Sequence, residues 1–186
     1  MNVWHDIQQE DITSGTFWVY ITMQKGSNKK YKFDVNTGCL RLEEMLYSAS
    51  CHPVNGGIIP KTLNRLKEPL EALVICQEPL DLYTLVECSP VGIIQIMKNG
   101  RIEEKIIALP IVGNMVGIGF VDSKAALEAV YEEIQYFYNT CNGTEEAESW
   151  TNGEISGIRA VDMIDMAMKN YKNQCIWSDD IWEVFC

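Results

Sequence analysis

The feature that most constrains the fold is a change of pattern near residue 110. Before it, short runs rich in aromatic and β-branched residues follow one another, separated by Gly and Pro. Short strands at this spacing predict a small barrel. After it, two stretches repeat apolar residues at helical spacing. Strands first and helices afterwards predict an α+β domain, and we interpret residues 1–186 as one such domain.

The strand predictions rest on local alternation and turn residues. A hairpin is predicted where Asn36-Thr37-Gly38 separates strands at 30–34 and 39–42. The other predicted strands cover residues 17–23, 72–75, 84–88, 91–96 and 104–109.

Two helices are predicted, over residues 123–138 and 157–171, with Ser123 capping the first. Their apolar faces are Ala126, Val130, Ile134 and Phe137 in the first and Ile158, Val161, Ile164, Met168 and Tyr171 in the second. The tail at 175–186 is unusually aromatic. Two interpretations of it stay open, since it can pack on its own body or form a subunit contact, where Trp is enriched.

Composition excludes several classes of protein. The net charge of −11 argues against a nucleic-acid-binding or anionic-membrane surface, because either needs clustered Lys and Arg. No apolar run reaches the roughly 20 residues of a membrane-spanning helix, and the N-terminus has no secretory pattern. The seven cysteines form no CxxC spacing, which favours reduced thiols. We therefore expect a cytoplasmic protein that binds neither nucleic acid nor membrane.

Four segments carry a family resemblance. Residues 24–34, 53–60, 68–71 and 98–105 read QKGSNKKYKFD, PVNGGIIP, EPLE and KNGRIEEK. Together they resemble the soluble inorganic pyrophosphatases of family I, over about residues 17–172. The resemblance implies a five-stranded OB-like β-barrel with flanking C-terminal α-helices. It also implies Mg²⁺-dependent hydrolysis of diphosphate to two phosphates and assembly into a homo-oligomer.

Site residues are carried over from the resemblance one by one. Lys30 and Lys105 match lysines that contact phosphate, so diphosphate or phosphate is the implied ligand. Glu68 is implied to assist the attacking water, and Glu71 and Glu103 to ligate Mg²⁺. A metal ion lowers the pKa of its bound water, and cations absorb the charge of the transferring phosphoryl group.

Many other positions depart from the family pattern. A metal-binding aspartate of the family is Leu66 here, and a phosphate-binding arginine is Glu44. The remaining departures are Thr22, Lys32 and Lys98 in place of acids, His52 and Gly56 in place of tyrosines, and Cys141 and Asn142 in place of a Tyr-Lys pair.

Counting these charges gives a pocket of three carboxylates and four lysines, which lacks the anionic excess that a cluster of divalent ions needs. Our hypothesis is that lysines have replaced metals, with Lys30, Lys32, Lys98 and Lys105 neutralising Glu68, Glu71 and Glu103. The alternative is that these side chains simply point into water.

Three functions follow from the sequence. The first is a weak inorganic diphosphatase, and the second is a catalytically inactive pseudoenzyme of the same fold that acts in binding or assembly. The third is a site retuned to another phosphorylated ligand, with Arg41, Arg65 or Lys67 supplying new cations.

Overall fold

The computed structural model describes residues 2–8, 12–46, 50–98, 100–113, 115–116, 124–141 and 150–182. The elements are α1 (Val3–Asp6), β1 (Phe17–Met23), β2 (Lys29–Phe33), β3 (Leu40–Met45), β4 (Asn55–Ile58), β5 (Glu71–Val74), β6 (Leu85–Lys98), β7 (Arg101–Val112), β8 (Met115–Val116), α2 (Lys124–Cys141), β9 (Trp150–Glu154) and α3 (Gly157–Trp182).

Five strands close into a barrel, which confirms the predicted fold class. They pair in the circular order β1–β4–β5–β7–β6, and β6 returns to pair with β1. The β5–β7 pairing is parallel, whereas the other four are antiparallel. β9 extends the sheet beyond β6, and β8 pairs with β7. Since the barrel has no free edge between its five strands, their backbone hydrogen bonds are satisfied within the ring.

The two helices pack against opposite faces of the sheet. Because side chains alternate along a strand, Ala72 and Val74 of β5 join a core with α3, whereas Leu73 joins a core with α2. The buried helical residues are Ala160, Ile164 and Ala167 on α3, and Leu127, Tyr131 and Ile134 on α2.

β2 and β3 form a separate two-stranded ribbon. Their turn has Gly38 at φ +70°, a backbone conformation that favours glycine, and Asp34 accepts a hydrogen bond from the Asn36 amide there. Phe33 anchors the ribbon because it is buried beside Tyr20, with ring centroids 6.0 Å apart. The ribbon thus confirms the predicted hairpin, and it stands beside the barrel as one wall of a cleft.

Several boundaries differ from the predictions. The strand over residues 17–23 agrees with β1, but the two strands predicted at 84–88 and 91–96 are one strand, β6, with an irregular register between Pro90 and Gly92. Ile158, which the helical spacing grouped with the apolar residues of the second predicted helix, is 79% exposed, whereas Ala160 of α3 is buried. β4 and β9 were not predicted.

The ends of the predicted helices fall partly outside the described residues. Ser123, the predicted cap, lies outside them, and α2 begins at Lys124. α3 continues to Trp182, so the first part of the aromatic tail is helical. The tail side chains from residue 175 onward are outside the described part, so both interpretations of the tail stay open. In the described ranges no helix is both long and apolar enough to cross a membrane.

Candidate functional site

A cleft of about 180 Å³ lies between the ribbon, the loop before β5, and the facing ends of β7 and α2. All five residues selected from the sequence line it: Lys30, Glu68, Glu71, Glu103 and Lys105. They come from three separate parts of the chain, which the barrel and the ribbon bring together.

The inner wall of the cleft centres on Lys105. Glu71 and Lys105 are directly opposite each other in the parallel β5–β7 register, so they form an ion pair. The Lys105 ammonium also lies 3.6 Å from a carboxylate oxygen of Glu103, two residues earlier on the same face of β7. Lys105 is buried, with 8% of its surface exposed. Burial opposes its charge, but the carboxylates of Glu71 and Glu103 outweigh burial and raise the pKa of Lys105.

The outer wall holds Glu68 on a loop that is rigidified by hydrogen bonds between its backbone amides and the Asn64 side chain. The Asn64 side chain accepts hydrogen bonds from the amides of Leu66 and Glu68, at 2.8 and 3.0 Å. Glu68 then accepts a hydrogen bond of 3.2 Å from Lys32 of β2. This bond and the charge of Glu68 raise the pKa of Lys32. Lys32 thus links the ribbon to the loop, in place of the family's acid.

Lys30 pairs with a carboxylate that the sequence analysis missed. Its ammonium lies 2.6 Å from Glu43 on β3. The strand predicted to end at residue 42 continues to Met45 in β3. A register shift between Lys30 and Tyr31 sets Lys30 opposite Glu44. This bulge cannot be read from the sequence, so Glu43 was not expected beside Lys30, whereas the resemblance had already placed Glu44 at a phosphate-binding position.

The charge count expected for the pocket is wrong. The described lining contains three lysines (Lys30, Lys32 and Lys105) and six glutamates (Glu43, Glu44, Glu68, Glu71, Glu103 and Glu104). The side chain of Lys98 lies outside the described part of the chain. Carboxylates therefore outnumber lysines in the described lining. The lysines nonetheless contact the selected acids, as the hypothesis of neutralisation predicts for Lys32 and Lys105.

Tyr138 is a second residue that the sequence analysis missed. It lines the cleft. Burial raises the pKa of Tyr138 to about 12; Lys105 lowers this pKa, and the nearby carboxylates of Glu71 and Glu103 raise it further. The expected pair, Cys141 and Asn142, is not tested, since the Cys141 side chain and all of Asn142 are outside the described residues. The helical spacing of Tyr138 from Ile134 was the signal that could have found it.

His52 and Gly56, which stand where the family has tyrosines, both line the cleft. His52 is buried, and its ring packs against Phe137 at a tilt of 54°, with the ring centroids 5.3 Å apart. Its Nε2 atom lies 3.2 Å from the Lys29 carbonyl oxygen. Burial and the charges of nearby lysines lower the pKa of His52 to about 4, so its ring is neutral at pH 7. A Cβ on Gly56 would come within 2.6 Å of the Met23 methyl, which fills the space above this glycine.

The resemblance implies a Mg²⁺ cluster, and the geometry of the described acids decides whether they can form it. Mg²⁺ needs near-octahedral oxygens at about 2.0–2.1 Å. Among the described residues no group of three His, Cys, Asp or Glu side chains is arranged to hold a metal ion. Glu71 and Glu103 share one ammonium, and Glu68 is bound by Lys32. The described side chains therefore do not fit this cluster.

Comparisons with known proteins all lead to one family. The family model described as inorganic pyrophosphatase matches residues 19–172. The inorganic pyrophosphatase of Nanoarchaeum equitans is 30% identical over 159 residues, which are 84% of this chain and 98% of that protein. Soluble inorganic pyrophosphatase 1 of Arabidopsis thaliana is 29% identical over 168 residues, 90% of this chain and 79% of that protein. The crystal structure of an inorganic pyrophosphatase from Thermus thermophilus superposes with a TM-score of 0.79 at 24% identity, covering 92% and 99% of the two chains.

Proposed function

The chain belongs to the inorganic pyrophosphatase family, and we propose that its hydrolysis of diphosphate is weak or lost. One observation carries this proposal: Glu71 and Glu103, the implied metal ligands, share the buried ammonium of Lys105. A divalent ion there would have to displace this ammonium or bind beside it. Binding beside the ammonium is costly because the two cations repel each other, and displacing it leaves the buried Lys105 charge without its partners.

Within this proposal the five selected residues have separate roles. Lys30 and Lys105 are the groups that contact phosphate, and Glu68 assists the attacking water from the outer wall. Glu71 and Glu103 hold the Lys105 ammonium where the family implies Mg²⁺. The ammonium supplies positive charge near the phosphate, but it cannot lower the pKa of water as a metal ion does. This difference is the reason for expecting little turnover.

A second candidate is a catalytically inactive protein of this fold that acts in binding or assembly. Two exposed apolar side chains of β3 favour it, namely Leu42 at 51% and Met45 at 60% exposure. Large apolar side chains on one exposed strand are typical of contact surfaces. Homo-oligomeric assembly and a cytoplasmic location stay predictions from the family resemblance and the composition.

The first test is phosphate release from diphosphate by the purified protein with Mg²⁺, Mn²⁺ or Zn²⁺. The Thermus thermophilus enzyme is assayed beside it. Losing one partner around a metal typically costs about 10–100-fold in affinity or activity. With several positions changed, we expect kcat/KM at least about 100-fold below that enzyme.

Two variants show where any turnover arises. Glu71→Ala removes the carboxylate opposite Lys105, and Glu132→Ala removes an exposed carboxylate of α2 outside the cleft. Metal-dependent turnover that disappears only in Glu71→Ala locates a reduced reaction in this cleft. Turnover equal to that of the Thermus thermophilus enzyme would overturn the proposal. Turnover that persists in Glu71→Ala would show that Glu71 has no part in it.

A further inference from the structure

A second, larger depression adjoins the cleft. This groove has a volume of about 630 Å³ and lies between the ribbon and the loop that precedes β5. Small-molecule sites typically occupy about 300–1,000 Å³. Lys32, Leu66 and Glu68 line both the groove and the cleft, so the two are continuous. The groove therefore has the size for an organic ligand, whereas the cleft of about 180 Å³ suits a smaller group.

The walls of the groove expose apolar side chains. Leu42 on the ribbon is 51% exposed, and Leu66 on the loop is 42% exposed. Tyr31 is directly opposite Leu42 in the ribbon register and also lines the groove. Phe33, Val35, Ile58 and Pro69 also line the groove. Leu66 stands where the family has an aspartate, so this wall is apolar where the resemblance implies charge. An apolar or aromatic group in the groove would remove these side chains from water.

The described lining of the groove holds three cations and four carboxylates, and Lys67 is the one of these cations that makes no ion pair there. The carboxylates in its lining are each ion-paired, Asp34 with Arg41, Glu43 with Lys30, Glu68 with Lys32 and Glu71 with Lys105. Lys67 also lines the groove, and it has no acidic partner among the described residues. It occupies a turn with φ +60°, next to the apolar Leu66. An uncompensated cation beside apolar walls favours a ligand with one anionic group and an apolar body.

We propose that the groove binds a phosphate monoester whose organic part is apolar or aromatic. The organic part would lie against Tyr31, Leu42 and Leu66, and the phosphate would contact Lys67 and Arg41. Arg41 is 72% exposed, so its pairing with Asp34 is weak, and its planar fork has further donors for phosphate oxygens. Phosphate offers three strong acceptor oxygens where a carboxylate offers two. This inference concerns binding alone and does not depend on hydrolysis of diphosphate.

The test is isothermal titration of the full chain in EDTA with four probes. Phenyl phosphate and n-hexyl phosphate carry both the anion and the organic group, inorganic phosphate lacks the organic group, and hexanoate replaces phosphate by carboxylate. At least one of the two esters should bind at least about 10-fold more tightly than inorganic phosphate, because it covers a leucine-sized apolar surface. It should also bind more tightly than hexanoate.

Matched substitutions locate the site. Lys67→Asn removes the cation and keeps a residue that tolerates positive φ, and Lys61→Asn does the same at φ +51° outside the groove. Leu42→Asn removes an apolar wall, and Met45→Asn changes the same strand outside the lining. The two groove variants should each weaken ester binding about 5–10-fold, and the two controls less than about 2-fold.

Three results would overturn the proposal: esters that bind no more tightly than inorganic phosphate, hexanoate that binds as tightly as the esters, or groove variants that behave like their controls. Because no metal is present and no turnover is measured, these outcomes are separate from those of the diphosphatase assay.

Discussion

The two walls of the cleft use the same chemistry in different surroundings. On the inner wall Lys105 is buried in the barrel, and the parallel register of β5 and β7 fixes it against Glu71. On the outer wall the Lys32–Glu68 pair joins two exposed segments, with side chains 61% and 48% exposed. Solvent screening and side-chain entropy weaken an exposed ion pair. Removing a partner from a buried ammonium, in contrast, is strongly destabilising, because the charge is left without compensation.

The two walls therefore differ in how firmly their ion pairs are held in place. The inner pair is part of the barrel, since breaking it leaves a charge without compensation in a sheet that cannot rearrange. The outer pairs belong to a ribbon and a loop, so they can exchange partners when a ligand enters. We therefore expect stability to depend on the inner wall and ligand preference to depend on the outer wall.

The largest expected effect involves His52, whose pKa is lowered by burial and by one lysine from each wall, Lys30 and Lys105. The unfolded chain takes up a proton on this ring near pH 6.5, whereas the folded chain does so only near pH 4. The free energy of unfolding should therefore fall as the pH drops from 6.5 to 4, by about 3 kcal/mol from this residue.

Urea titrations at several pH values measure this effect. His52→Gln keeps a donor for the Lys29 carbonyl and removes the titration, so its stability should lack this part of the pH dependence. Lys30→Ala should raise the pKa of His52 slightly, because it removes one of the two positive charges. Identical pH slopes for the wild type and His52→Gln would contradict the prediction.

The next effect is the loss of the inner ammonium. Lys105→Met keeps the aliphatic stem but leaves Glu71 and Glu103 without their shared cation. The two carboxylates are about half exposed, so we expect a loss of about 2 kcal/mol, below the 3–5 kcal/mol typical of fully buried pairs. Urea denaturation checks it.

Lys124→Met is the matched control, since its partner Glu128 lies 3.6 Å away on an exposed helix face. Its cost should stay below about 0.5 kcal/mol. If both substitutions cost the same, the contrast between buried and exposed pairs would be refuted.

The sequence predicted the barrel better than the cleft, and the reasons are physical. β1 was predictable because its run is rich in aromatic and β-branched residues. β4 was not, since Gly56 and Gly57 are poor strand formers. Gly57 is fixed there by packing, because a Cβ on it would come within 2.1 Å of the Tyr20 carbonyl oxygen.

The cleft depends more on long-range register. The Glu71–Lys105 contact follows from strands that the sequence identifies and the family resemblance aligns. The Lys30–Glu43 contact depends on a bulge in the ribbon and on where β3 ends. Neither feature has a local signal, so Glu43 could not be placed beside Lys30 from the sequence.

The smallest expected effect is the coupling between Lys32 and Glu68 on the outer wall. A double-mutant cycle with Lys32→Ala and Glu68→Ala isolates it, because the two side chains meet at 3.2 Å. We expect a coupling below about 1 kcal/mol in low salt that largely disappears in 1 M NaCl, where the Debye length is about 3 Å. A coupling above 2 kcal/mol that resists salt would show that this pair is as rigid as the inner one. The Lys32–Glu68 pair would then fix the ribbon against the loop, and it could not exchange partners when a ligand enters.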